Sequence, residues 1–321
     1  MFGKIRKYTV AVLLVVLVVF FCVTVKGFAS LNNLFNLLRQ IAVLGIIASG
    51  MTMVVITGNI DLSVGSVVSL VSCLVAIMIG KMGVSPALAC LIGVIVSVAA
   101  MVLNSVIIQV TGMPAMLCTL AVMQIYQGAT YNVTNSTPIY GLPESMRMIG
   151  QGYLGPVPIP VVIMAVMFLV SGIVLSRTYL GRYFYAVGSN SEAARLSGIP
   201  IVKTNLLAYA LCGLTVGVAA IVTMSRLGGG YPASGSGLEM DVITAVVVGG
   251  VSFSGGKGKI TGVIQGVLLM GILSNGLGVM GASTHTQLVF KGIVLIVVVG
   301  LDYYQLKRVK KAKALNPIAN N

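Results

Sequence analysis

The sequence predicts an all-α fold, a polytopic bundle of about ten membrane-spanning helices with one short helix outside the bilayer. Three observations predict it. Hydrophobic residues fill 57% of the 321 positions and charged residues only 8%, too little charge to cover a water-soluble globule of that size. Apolar runs of roughly 20 residues, enough to cross about 30 Å of hydrocarbon, recur along nearly the whole chain. Only short polar stretches separate them, so residues 1–321 read as a single membrane domain.

The first span, 8–25, follows the basic head MFGKIRK, but its apolar run is as long as a full crossing and no A-x-A site follows it. It reads as an uncleaved helix and not a signal peptide. Spans are then expected at 40–57, 61–80, 86–110 and 114–131. The stretch 132–156 is rich in Asn, Ser, Thr, Gly and Pro and reads as an irregular outer loop. Further spans follow at 157–176, 204–225, 240–254, 259–281 and 287–305, the eighth of them short, glycine-bounded and a candidate for a broken helix. Residues 306–321 form a basic tail.

The net charge of +14 would suggest nucleic acid in a soluble protein; here it is a question of sidedness, and no nucleic-acid partner is expected. With an even number of spans both termini share one face, which then collects 14 of the 20 basic residues, from Lys4, Arg6 and Lys7 to the tail. The positive-inside rule places that face in the cytoplasm. Tyrosines near span ends suit the headgroup layer, and the membrane lipid is itself a partner. The five cysteines lie inside apolar segments without metal-ligand spacing, and no metal site is expected.

Residues 177–200, RTYLGRYFYAVGSNSEAARLSGIP, cannot lie in hydrocarbon. Arg177, Arg182, Glu192 and Arg195 would each cost about 2.5 to 3.5 kcal/mol at mid-bilayer. Within the stretch, Ser189 and Glu192 have the spacing of a capping box, which predicts a helix starting at Ser189. Ala193, Ala194, Arg195 and Leu196 continue it and Gly198 with Pro200 stops it, giving about eight residues, roughly 12 Å. Such a small-residue helix is shaped to enter a groove in a partner, against the plainer reading of a loop helix resting on lipid.

GRYFYAVGSNSEAARLSGIP at 181–200 resembles the coupling segment of the ribose-type permeases of ATP-binding-cassette sugar importers. NNLFNLLRQ at 32–40, GNIDLSVGS at 58–66, GLEMDVITAVVVGGVSFSGGKGKITG at 237–262 and SNGLGVMG at 274–281 resemble the same family in the same order. Ser105, Ala115, Val251 and Phe253 depart from its usual pattern along packing or pathway helices, which bears on the sugar and not on the class. The resemblance implies a permease in the bacterial cytoplasmic (inner) membrane that works with a second copy of itself. It also implies a cytoplasmic ATPase below and an extracytoplasmic sugar-binding protein above. ATP and magnesium belong to the ATPase, so no cofactor and no catalytic residue is expected in this chain. Residues 177–203 become the cytoplasmic coupling segment, with Gly188, Ser189, Asn190, Glu192, Ala193, Ala194, Arg195 and Gly198 as the ATPase-coupling residues.

Other candidates have a plainer role beside the sharper one. Asp61 opens the third span, where a helix cap is the simpler reading and a pathway or gating role the sharper one, shared with Ser63, Asn104, Tyr126, Thr244, Ser252 and Asn275. Glu144, Arg147, Arg226, Glu239 and Asp241 are candidates for docking the binding protein. Glu239 and Asp241 are expected to open the eighth span from outside, as helix-start charges or partners of Arg226. SFSGGKGK at 252–259 lacks the Gly and Ser/Thr of a phosphate loop and reads as a tight cytoplasmic turn. An ion-coupled secondary carrier is the rival function, but the six acids are expected in loops or at span ends, away from a mid-membrane ion site.

Overall fold

The computed structural model describes residues 2–283, 285–297 and 300. The rest of the tenth expected span, Asp302 and the basic tail 306–321 lie outside the described residues, as do the side chains of Lys4, Arg6 and Lys7.

The helices run α1 (Phe2–Thr24), α2 (Leu31–Ile56), α3 (Val64–Gly80), α4 (Pro86–Thr111), α5 (Ala115–Thr134) and α6 (Glu144–Gln151). After a two-strand hairpin, β1 (Tyr153–Leu154) and β2 (Val157–Pro158), come α7 (Ile159–Arg177), α8 (Tyr179–Ser189), α9 (Ser191–Leu196), α10 (Ile201–Leu227), α11 (Leu238–Val248) and α12 (Ile260–Val279). A last helix, α13, covers His285–Val297. A helix thus overlaps every expected span, but among the described residues five (α2, α4, α7, α10 and α12) are both long and apolar enough to cross a membrane by themselves.

Two helices organise the bundle. From Ile41 to Ile56 every residue of α2 is buried, as an all-round apolar helix must be. α10 packs along α4, α2 and α3, and its Gly213 and Gly217 let the backbone close on Ser97, Val98 and Val94 of α4. α4, α5 and α7 turn Leu91, Ile95, Leu117, Ile125 and Leu169 outward, a surface that suits lipid and not water.

The stretch 132–156, expected as an outer loop, is more ordered than its composition predicts. Pro143 starts α6, which buries Met146 and Gly150 on one face, and the hairpin follows. Gly150 sits so close to the Arg226 backbone that any side chain there would collide with it. The irregular composition marks turns, while the α6 face is fixed by long-range packing on α10 that no local pattern announces.

Two breaks in helical structure lie inside the bundle. The first is 57–63, between α2 and α3. The second is 228–237, which enters beside α3: Gly230 packs on Cys73 and Ala76, Ser69 Oγ accepts from the Gly235 amide at 2.9 Å, and Gly235 lies against Gly65. Gly80, at the far end of α3, lies beside the Tyr140 carbonyl of the outer loop. Gly65 and Gly80 are about 22 Å apart along the helix, so 228–237 runs from the loop side almost to the opposite end of α3. Non-helical backbone at that depth is tolerated only where protein surrounds and bonds it.

Candidate functional site

On the side opposite the outer loop, α8 and α9 form a two-helix protrusion. The helix begins differently from the expected capping box. Ser189 ends α8, Asn190 takes extended backbone (φ −162°, ψ 103°), and its Oδ1 accepts from the Ala193 amide at 3.0 Å. Asn190 is therefore the cap in place of Ser189, and α9 is six residues long instead of eight. Glu192 does not reach back; it pairs with Arg195, whose guanidinium hydrogen bond holds the Glu192 carboxyl below its ordinary range. An Asn one residue after the Ser is an equal or better cap, and the Arg three residues on competes for the Glu. Gly198, at φ +80°, supplies the left-handed stop.

The eight coupling candidates divide by exposure. Glu192, Ala193 and Arg195 are exposed, whereas Ala194 is buried against the bundle. Leu196, absent from the sequence candidates, is 76% exposed at the tip of α9. Its signal was present: it is the one large apolar residue in a short helix of small and charged ones.

Gly188 and Ser189 belong to a junction where three chain segments touch. A Cβ on Gly188 would overlap the Ile56 carbonyl oxygen and lie 2.6 Å from the Gly256 amide nitrogen. The Gly256 amide donates to the Ile56 carbonyl at 2.8 Å, and Tyr185 Oη donates to the Gly258 carbonyl at 2.9 Å. Gly255 and Gly256 hold positive φ (79° and 67°) and pack against Gly58 and Ser189. The end of α2, the end of α8 and the 254–258 turn are thus in backbone contact. The expected tight turn is present, and it clamps α8 as well as joining its own helices.

Seven residues were expected along a pathway, and four of them meet. Asp61 is wholly buried in the first break. Its Oδ1 accepts from the Ser63 amide and hydroxyl, both at 2.6 Å, and its Oδ2 accepts from Asn104 Nδ2 at 2.9 Å. Asn104 also donates to Ser63 Oγ at 2.7 Å, and Tyr126 Oη lies 3.0 Å from Asn104 Oδ1 and from the Ala100 carbonyl. Thr119 extends the cluster, accepting from the Leu62 amide at 3.1 Å. The cap expected of Asp61 does not form: α3 starts at Val64, and the carboxylate bonds the preceding residue and α4. Asp61 stands between the end of α2 and the start of α3, at a helix end as expected, and the Asn104 that it bonds sits about 10 Å inside the end of α4. The other three stand apart. Thr244 donates to the Met240 carbonyl, Ser252 lies in the turn, and Asn275 forms a reciprocal amide pair with Asn33 at 2.9 and 3.0 Å.

The docking candidates also divide. Glu144 and Arg147 are exposed on α6 in the outer loop. Arg226, half-buried, takes a Gln151 amide bond on its carbonyl at 3.0 Å; Arg39 donates to the Gln151 carbonyl at 3.0 Å and stacks over Tyr153 at 4.9 Å. Glu239 and Asp241 lie in the first turn of α11, as expected of helix-start charges, but that turn is not on the side of the 132–156 loop. Glu239 accepts from the Gly237 amide at 3.2 Å beside Gly65, at the deep end of the second break, and Asp241 pairs with Lys291 of α13 at 2.6 Å instead of Arg226. The break carries the chain down before the helix begins, and a sequence count of spans does not register that descent.

The Asp241–Lys291 pair gives a direct prediction. Both side chains are mostly buried, so Asp241→Ala strands a lysine and should cost about 1.5–3 kcal/mol. The double change Asp241→Leu with Lys291→Met should recover part of it. A double-mutant cycle of thermal unfolding checks this; additive losses would contradict it.

Residues 33–299 match the family described as branched-chain amino acid transport system / permease component. The chain is 41% identical over 291 residues, 90% of each chain, to the ribose import permease protein RbsC of Bacillus subtilis (strain 168). It is 36% identical over 96% of its length, and 93% of the relative's, to the probable ABC transporter permease protein YphD of Escherichia coli (strain K12). It is 30% identical over 93% of its length, and 92% of the relative's, to the xylose transport system permease protein XylH of the same strain. No solved structure matches the chain.

Proposed function

The chain belongs to the family of branched-chain amino acid transport system / permease components, and on that premise we propose that it is the permease subunit of an ATP-binding-cassette importer for a monosaccharide, ribose ahead of related sugars. Relatives named for ribose and xylose support the sugar over the amino acid of the family's description, and they do not favour an ion-coupled carrier. As a membrane permease it acts with a separate ATPase and a sugar-binding protein. Two copies would form the pathway, and about ten spans with both termini in the cytoplasm remain the arrangement that the charge distribution supports.

One observation carries the coupling role: α9 exposes Leu196 while its base is clamped, through Gly188, between the end of α2 and the 254–258 turn. An ATPase that grips Leu196, Ala193 and Arg195 can then displace α2 and the turn together. The first break starts at the end of α2, so a shift there reaches the Asp61–Ser63–Asn104–Tyr126 cluster, which serves as a gate hinge and not as a sugar contact. Glu144 and Arg147 on α6 present the outer face to the binding protein.

Leu196→Glu should lower co-purification of the ATPase at least tenfold without changing the thermal unfolding of the permease, because an exposed residue carries little of the fold. Undiminished co-purification with a folded permease would remove α9 from the ATPase contact. Ala194→Glu is the poorer probe, since its side chain faces the bundle.

A further inference from the structure

A groove of 1660 Å³ runs along the outside of the bundle between α7 and the turn that leads into α12. Its chemistry changes from end to end. Arg177, at the end of α7, and Lys257 and Lys259, in the turn before α12, line it and are exposed. Leu169, Gly172 and Ile173 of α7 form an apolar wall, with Leu169 63% and Ile173 47% exposed. Among the described residues no acid lines the groove, and none of the three cations takes part in an ion pair.

The two parts are set at membrane dimensions. From Arg177 to Leu169 the helix rises about 12 Å, close to the hydrocarbon depth of one leaflet, roughly 15 Å. The cationic end lies beside α8, on the side that carries α9. The Tyr185 hydroxyl bonds the Gly258 carbonyl at 2.9 Å and so fixes the backbone that carries both lysines.

We propose that this groove binds one anionic phospholipid, its phosphate held by Arg177, Lys257 and Lys259 and an acyl chain laid along Leu169, Gly172 and Ile173. Positive charge at the mouth and an apolar wall one leaflet deep are the two halves of that ligand, and basic pockets between helices on the cytoplasmic side bind such headgroups. A second copy packed symmetrically on this face would bring the three cations against their own counterparts. The tail 306–321 carries five basic residues and no acid, so it is repelled by the same mouth. The inference rests on the membrane location of the chain and not on the sugar it carries.

The test uses full-length protein in detergent, with lipid retention read by native mass spectrometry. One phosphatidylglycerol per chain should be retained at concentrations where phosphatidylcholine is not. The triple variant Arg177→Gln, Lys257→Gln, Lys259→Gln should weaken retention at least tenfold. Gly172→Phe should weaken it similarly with no change of charge, because a Cβ there meets only Ile260 Cγ2 at 3.4 Å and a ring would fill the groove. Glycerol phosphate, a headgroup without chains, should not displace the lipid. Should the triple variant fail to fold, Gly172→Phe and the comparison of the two lipids still decide. Equal retention of both lipids, retention untouched by Gly172→Phe, or displacement by glycerol phosphate would overturn the proposal. So would a triple variant that loses self-association or ATPase binding while keeping its lipid.

Discussion

Gly188→Ala should lower ATP-driven sugar uptake at least tenfold in a chain that still inserts in the membrane. The added methyl group would overlap the Ile56 carbonyl and crowd the Gly256 amide, and these are backbone atoms that cannot rotate away. Overpacking of this kind costs roughly 1–3 kcal/mol, which the junction can relieve only by separating α8 from the end of α2. That separation is the loss of coupling. Gly198→Ala is the control: its Cβ would meet open space, and only the left-handed backbone (φ +80°) resists it. Its cost is about 1 kcal/mol and confined to the end of α9. Uptake in proteoliposomes, compared with melting followed by circular dichroism, separates the two. Equal uptake by Gly188→Ala and wild type would mean that the junction does not transmit motion.

Asp61→Ala should be the most destabilising single change in the buried polar cluster. It removes the acceptor of the Ser63 amide, the Ser63 hydroxyl and the Asn104 amide at once. Each buried donor left without a partner costs about 1–3 kcal/mol, so a total of roughly 3–5 kcal/mol is expected once the site relaxes. Asp61→Asn keeps the shape and one acceptor oxygen and should lose less. Tyr126→Phe removes only a donor at the edge of the cluster and should cost about 1 kcal/mol. Thermal unfolding in detergent orders the three variants. If Asp61→Ala melts with the wild type, the cluster does not hold the first break in place.

Much of the fold was legible because hydrocarbon imposes length and composition on a helix. The ends expected for the spans at 86–110, 157–176 and 259–281 fall within two residues of α4, α7 and α12. The errors cluster where the chain enters the bilayer without being helical. Span pattern put Asp61 in a simple cap and Glu239 on the outer face, because apolar flanks look alike whether they bound a loop in water or one buried in protein. What settles the difference is a set of contacts between residues distant in sequence, Gly65 with Gly235 and Asp61 with Asn104. Asp61, Ser63, Asn104 and Tyr126 are pathway candidates by residue type and context, and the structure joins them. Thr244, Ser252 and Asn275 were chosen on the same grounds, but each has a local or packing partner.

Residues 177–200 show the same limit at short range. Their exclusion from hydrocarbon is an expectation from charge alone, and the stop at Gly198 follows from the glycine. Which face α9 presents does not, because a six-residue helix is too short for a periodic pattern to identify its buried side. Packing on α8 and α10 buries Ala194 and leaves Leu196 outward.

The most direct test is uptake of labelled ribose into proteoliposomes holding this chain, its ATPase and its sugar-binding protein, with wild type and Leu196→Glu compared at equal amounts of folded permease. Uptake that needs ATP and all three components, and that falls at least tenfold in Leu196→Glu, is the predicted result. Uptake by the permease alone, driven by an ion gradient and indifferent to Leu196→Glu, would contradict the account.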